Sequence, residues 1–95
     1  LSPKGFEIER AYPNPFNPLI NIQINIYKSN LFLINVYDIM GREINVLKNG
    51  LMAPGKYQLT WNGTNSAGNP ISSGTYFIVI QSDQKREIQK LLFLK

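Results

Sequence analysis

Ile20-Asn21-Ile22-Gln23-Ile24-Asn25-Ile26 alternates four β-branched side chains with three amides. In an extended chain successive side chains point to opposite faces, so this stretch presents one apolar surface and one polar surface. It reads as a strand buried on one side. The same period of two recurs in Phe32, Ile34 and Val36, in Ile44 and Val46, in Tyr57, Leu59 and Trp61, and in Tyr76, Ile78 and Ile80. Turn-forming residues punctuate these runs at Lys28-Ser29-Asn30, Asp38-Ile39-Met40-Gly41, Lys48-Asn49-Gly50, Ala53-Pro54-Gly55 and along 62–74. Short strands at such spacing predict an all-β, antiparallel β-sandwich of about seven strands.

The two flanks are harder to read. Phe6 to Ala11 is the weakest strand, and it runs into Tyr12-Pro13-Asn14-Pro15-Phe16-Asn17-Pro18. Three prolines lack the N–H that a central ladder needs, so this segment must lie at a sheet edge or cross between sheets. At the other flank, Ile88, Leu91, Leu92 and Lys95 have helical spacing, yet a closing strand paired with 75–82 fits equally well. The strand is preferred, because Ser82-Asp83-Gln84-Lys85 suits a tight hairpin connection and a lone helix of about 12 residues is marginal in water.

Ninety-five residues make one small domain with one core, spanning 1–95. The charged fraction of 17% is below the roughly 25% of ordinary globular chains, and 43% hydrophobic residues supply enough to bury. Cysteine and histidine are both absent. That removes thiolate and imidazole metal sites, Ser-His-Asp and Cys-His nucleophiles, haem attachment and disulfides. Glu7, Glu9, Asp38, Glu43, Asp83 and Glu87 are scattered, which leaves little for a carboxylate pair or a hard-cation cage. No enzyme activity and no cofactor are expected. Ten Lys and Arg against six acids give a net charge of +4, but only Lys85, Arg86 and Lys90 lie close together. No Gly-flanked basic-aromatic run accompanies them, so a solubilising basic rim is expected and no nucleic-acid partner.

Leu1-Ser2-Pro3-Lys4-Gly5 has neither the charged region nor the apolar core of a signal peptide, and no apolar run approaches the roughly 20 residues of a membrane span. With no initiating Met, the chain reads as a fragment of a longer polypeptide.

Several motifs have a structural and a functional reading. Asp38 to Arg42 reads as a turn, with Asp38 accepting backbone N–H groups and Gly41 taking a positive φ, in preference to a binding pair of Asp38 and Arg42. Trp61 to Pro70 is rich in amides and glycine like a calcium loop, but contains no carboxylate, so Asx-turns explain it better. Asn62-Gly63-Thr64 fits a glycosylation sequon, a pattern too short to weigh much. Trp61, Tyr57 and Tyr76 would stack on sugars if they faced outward, but their alternation points them into the core.

One feature goes beyond a plain sandwich. Leu31, Leu33 and Tyr37 line the second face of one run, and Phe77 and Val79 that of another; near the end, Leu91 and Phe93 alternate against Leu92 and Leu94. If these strands share a sheet, its outer side carries an apolar patch of the kind that marks a contact surface. The occupant is a partner, a second copy in a homodimer, or the preceding domain of the same chain.

Tyr12 to Pro18, Val36-Tyr37-Asp38-Ile39-Met40-Gly41-Arg42, Pro54-Gly55, Trp61-Asn62-Gly63, Ser73-Gly74-Thr75-Tyr76 and the closing Lys90-Leu91-Leu92-Phe93-Leu94-Lys95 occur in one order. In this the chain, from about Phe6 onward, resembles the type A C-terminal sorting domains of the type IX secretion system. The resemblance implies an immunoglobulin-like sandwich at the end of a secreted Gram-negative protein. Its partners would be the outer-membrane translocon, a surface sortase that commonly removes the tail, and the passenger domain of its own chain. Such a parent would travel through the periplasm and outer membrane to the cell surface or the medium. The closing segment matches the family's terminal motif, Gly41 and Arg42 its hairpin motif, and Gly74 and Tyr76 the start of its penultimate strand. Cleavage would fall near Leu1 or before it. Asn62 departs from the family, which often has Asp there. A similar Trp-Asn-Gly to Gly-x-Tyr stretch occurs in the immunoglobulin-like domain of the flagellar hook-capping protein, which implies a structural spacer or assembly module instead. A sorting tail must be last in its chain, whereas a spacer can be internal. A carbohydrate-binding sandwich is a third reading, and would need outward aromatics such as Tyr37 or Phe77.

Overall fold

The computed structural model describes residues 5–83 and 85–95. Gln84 of the expected hairpin connection and the first four residues, where cleavage was expected to fall, lie outside the described residues. Seven strands follow one another: β1 (Phe6–Tyr12), β2 (Ile20–Ile26), β3 (Asn30–Asp38), β4 (Glu43–Met52), β5 (Gly55–Trp61), β6 (Gly74–Gln81) and β7 (Arg86–Phe93). They form a three-stranded sheet of order β1-β2-β5 and a four-stranded sheet of order β4-β3-β6-β7, with antiparallel pairing between neighbouring strands. Among the described residues there is no helix, and the ambiguous closing segment is the strand β7.

The isoleucine ladder sets the first sheet. Ile20, Ile22 and Ile24 stand opposite Trp61, Leu59 and Tyr57, so the alternations of β2 and β5 coincide and both aim inward. All four isoleucines are buried. In the second sheet Phe32, Ile34 and Val36 of β3 and Tyr76, Ile78 and Ile80 of β6 face them across the sandwich. Edge-to-face contact between Phe6 and Phe32, with ring centroids 5.3 Å apart, joins the layers at one end. Along the β1–β7 side, Glu87 Oε1 accepts the Ile8 N–H at 3.0 Å and Lys85 Nζ donates to the Phe6 carbonyl at 2.7 Å.

β4 departs from the simple period. Its register against β3 shifts twice, so that Asn35 pairs with Val46 directly after Ile34 pairs with Lys48, and Tyr37 with Glu43 after Val36 with Asn45. Each shift leaves one residue of β4 unmatched, first Leu47 and then Ile44, and both of these pack against the core. Ile44 and Val46 were expected to share the inner face. The bulges separate them, and Val46 is exposed on the outer side.

Candidate functional site

Three of the motif stretches quoted from the sequence, 12–18, 61–63 and 73–76, meet around the closing segment, whereas Pro54-Gly55 lies at the opposite end of β5. The proline-rich crossing leaves β1 of the first sheet and reaches the edge of the second. There the Phe16 N–H donates to the Leu92 carbonyl at 2.9 Å and its carbonyl accepts the Leu94 N–H at 3.0 Å, a one-residue parallel bridge to Phe93. Asn14 adds two bonds: Oδ1 accepts the Leu92 N–H at 2.9 Å, and Nδ2 donates to the Lys90 carbonyl at 3.1 Å. The prolines are tolerated because only Phe16 has to offer both backbone groups to β7.

Beneath this clasp lies an aromatic cluster. Phe16 stacks on Phe93 with centroids 4.9 Å apart and leans on Trp61 at 5.5 Å; Trp61 meets Tyr76 edge-on at 5.7 Å. Gly63 follows Trp61 with φ +71°, and a Cβ there would lie 2.8 Å from Cζ of Phe93. Glycine is therefore needed twice over, for the backbone and for the close approach of the ring. Trp61 Nε1 donates to the Thr64 carbonyl at 2.9 Å, and the Tyr76 hydroxyl donates to the Ser72 carbonyl at 2.7 Å, so each buried polar tip has a partner. Trp61 and Tyr76 belong to the core, as their alternation predicted, and Tyr57 packs half-buried against it.

The loop 62–74 is organised by asparagine. Asn65 Oδ1 accepts the N–H groups of Ala67 and Asn69, both at 3.0 Å, as an Asx-turn does. Asn45 Nδ2 donates to the Thr64 carbonyl and the Ser66 N–H donates to the Ile44 carbonyl, which ties the loop to bulged β4.

Between this loop and the β3–β4 turn lies a cavity of about 440 Å³, lined by Asp38, Arg42, Ile44, Ser73, Gly74 and Tyr76 among others. The Lys95 N–H donates to Ser73 Oγ at 2.9 Å on its rim. Arg42, Gly74, Tyr76 and Lys95 thus gather at one end of the sandwich, whereas Lys90 lies on the outer face opposite Phe77. Gly41, with φ +81°, forms the turn. Asp38 accepts the Met40 and Arg42 N–H groups and the Arg42 Nε–H, each at 2.9 Å. The Arg42 N–H above all holds the Asp38 carboxyl below its ordinary range, with help from the Arg42 side chain and the Met40 N–H. Asp38 and Arg42 satisfy each other within the turn.

β7 sends Leu91 and Phe93 into the core and turns Lys90 and Leu92 outward; Leu94 beyond it is exposed. The outer face of the four-stranded sheet carries Leu31 at 67% and Leu51 at 69% exposure, paired directly, with Leu33, Tyr37 and Phe77 half-buried. Val79, expected on this surface, is only 4% exposed: it sits on an inner strand of the sheet, flanked by Asn35 and Ile88 on the neighbouring strands. Asn35 is also buried here, with Nδ2 donating to Glu43 Oε1 at 2.7 Å and to the Tyr37 hydroxyl at 3.1 Å. Sequence reasoning missed Asn14, Phe16 and Ser73 as anchors, and Ile88 and Arg86 as outward residues. The period of two running back from Leu92 and Lys90 signals the last two.

Comparison with known proteins agrees with this geometry. The family model of the FlgD Ig-like domain matches residues 21–86. FlgD from P. aeruginosa is 32% identical over 78% of this chain and 60% of its own, with a TM-score of 0.59. Dimeric latent PorU from Porphyromonas gingivalis superposes on 99% of the chain with a TM-score of 0.73 at 19% identity. PorZ of the same organism, an essential bacterial surface component of the type-IX secretion system, covers 90% with a TM-score of 0.60, also at 19% identity. At that identity these two likenesses speak to the fold, and the chain spans only 10% of that PorU chain and 11% of that PorZ chain. No curated protein sequence matches the chain. An antiparallel sandwich of three and four strands, with the matched region running from the β2 ladder to the start of β7, places this chain in the FlgD Ig-like domain family.

Proposed function

We propose that the domain is a non-catalytic C-terminal sorting signal that directs its parent protein across the outer membrane through the type IX secretion system, with removal by a surface sortase. The observation that carries this reading is the convergence of Asn14, Phe16, Gly63, Ser73 and Tyr76 on the segment from Lys90 to Lys95, with Trp61 packed against Phe16 and Tyr76 behind it. A signal read after folding needs one fixed presentation, and the clasp supplies it: Leu91 and Phe93 are locked inward while Leu94 and Lys95 remain exposed. The fold shared with PorU and PorZ is consistent with it. The test is to place residues 1–95 behind a signal peptide and a reporter in a host with this export route. Reporter at the surface or in the medium is the expected result, and reporter retained in the periplasm defeats the assignment. Deleting 90–95 is the matching control, with folding checked separately because that segment supplies core residues.

The family match to the FlgD Ig-like domain favours a second reading, an immunoglobulin-like spacer or assembly module that is neither cleaved nor read. It predicts that the domain stays attached to its parent in the exporting host.

A further inference from the structure

On the outer face of the four-stranded sheet, Arg86, Ile88 and Lys90 of β7 point outward in succession, opposite Gln81, Val79 and Phe77 of β6. Tyr37 of β3 stands directly beside Phe77. Together Tyr37, Phe77, Val79, Ile88, Arg86 and Ile39 line an open cleft of about 450 Å³. Ile88 is 54% exposed at its wall.

Cations and acids both border this cleft, and they differ in their partners. Among the described residues, no hydrogen bond or ion pair engages the side chain of Arg86 or of Lys90. Of the nearby acids, Asp38 lines the cleft and is paired with Arg42, and Glu43 accepts from the Asn35 amide and keeps its charge. Glu87 points to the opposite face, against Lys85 and the Ile8 N–H. A second copy seated here would set cationic faces of two chains of net charge +4 against each other. An apolar floor between two unpaired cations calls for an acidic partner with an apolar centre.

Spacing narrows the partner further. Arg86 and Lys90 are four strand residues apart, about 13 Å, with Ile88 halfway. An extended segment has the same period, so acids at its first and fifth positions reach the two cations while its third side chain enters the cleft. We propose that this face binds an extended acidic segment of another protein, with acidic residues two positions to either side of one apolar residue. The proposal does not rest on the export reading, although Lys90 belongs to both surfaces, and peptide titration tests it apart from export.

The probe is the capped heptapeptide GDSLSDG, titrated into the ¹⁵N-labelled chain of residues 1–95 and followed by amide chemical shifts. Saturable shifts centred on Tyr37, Phe77, Ile88 and Lys90 are expected. Replacing both peptide acids by Asn, or Arg86→Gln or Lys90→Gln in the protein, should weaken binding about two- to fivefold for each exposed pair lost, and added salt should act in the same direction. Both protein positions are exposed, and circular dichroism confirms that the variants fold. Three results overturn the proposal: no saturable shift on this face, equal affinity for the acid and amide peptides, or concentration-dependent shifts there without peptide, which would mean that a second copy covers it.

Discussion

Phe93→Ala is the sharpest probe of the clasp. Phe93 is 3% exposed and stacked 4.9 Å from Phe16, with Gly63 held beneath its ring. Truncating a buried Phe costs about 3–5 kcal/mol, since the surroundings only partly close the cavity. Stability of a 95-residue domain is about 5–14 kcal/mol at 0.05–0.15 per residue. The variant should therefore lose between a fifth and nearly all of it, with a fall in Tm of about 12–40 °C. Thermal melts by circular dichroism report the global transition, while Trp61 fluorescence reports the cluster itself, because Trp61 also touches Phe16. Phe16→Ala and the double variant complete a cycle, and the stacked pair should show a coupling of about 0.5–1.5 kcal/mol. Leu94→Ala, one residue on and exposed, should change stability by no more than about 0.5 kcal/mol. A Phe93→Ala melt within about 4 °C of the parent, or single effects that simply add, would refute the clasp as the anchor of the terminal strand.

The two turn glycines should separate by what surrounds them. Gly41→Ala meets only backbone strain of about 1–2 kcal/mol, since nothing lies within 4 Å of the added Cβ; Gly63→Ala adds the collision with Phe93, and denaturant midpoints should place it clearly lower. Asn14→Ala removes two bonds to β7 at an exposed position and should cost about 1–2 kcal/mol, with faster amide exchange at Leu92 as the local readout. Asp38 has a carboxyl held below its ordinary value, so its contribution is present above the unfolded value and is lost as pH falls through the lower folded one. In melts recorded from pH 6 down to about 2, Asp38→Asn should therefore show a shallower acid loss than the parent, and parallel curves would contradict this.

Most of the architecture was legible because local alternation and global layering agree. The Ile20–Ile26 ladder and the runs of β3, β5 and β6 appear in the structure with the expected inward face, and β7 is the strand that was preferred to a helix. β4 was not legible: two bulges shift its period, and a residue such as Leu47 shows its direction only against β3. The outer patch was half legible. Leu31 and Tyr37 lie where alternation put them, but Val79 is buried on an inner strand of the sheet, flanked by neighbours on the adjacent strands, which a period of two does not describe. The clasp was the least visible part, since the bonds from Asn14 to β7 span 76 and 78 residues of sequence.

That long-range clasp bears on how any export experiment should be read. Phe16, Trp61, Gly63, Tyr76, Leu91 and Phe93 are buried, so a variant at any of them weakens the sandwich before it alters what another protein touches. Lost export in such a variant therefore says little about recognition. The informative positions are those the clasp presents without depending on them: Arg42 at 76% side-chain exposure, Leu94 and Lys95. If the terminal segment is read as a surface, changes at Leu94 and Lys95 should abolish export while melts and amide shifts elsewhere stay unchanged. If only a folded terminal strand is required, export should follow Tm across all variants, and these exposed substitutions should pass unnoticed. A plot of export against Tm therefore separates a read signal from a fold requirement.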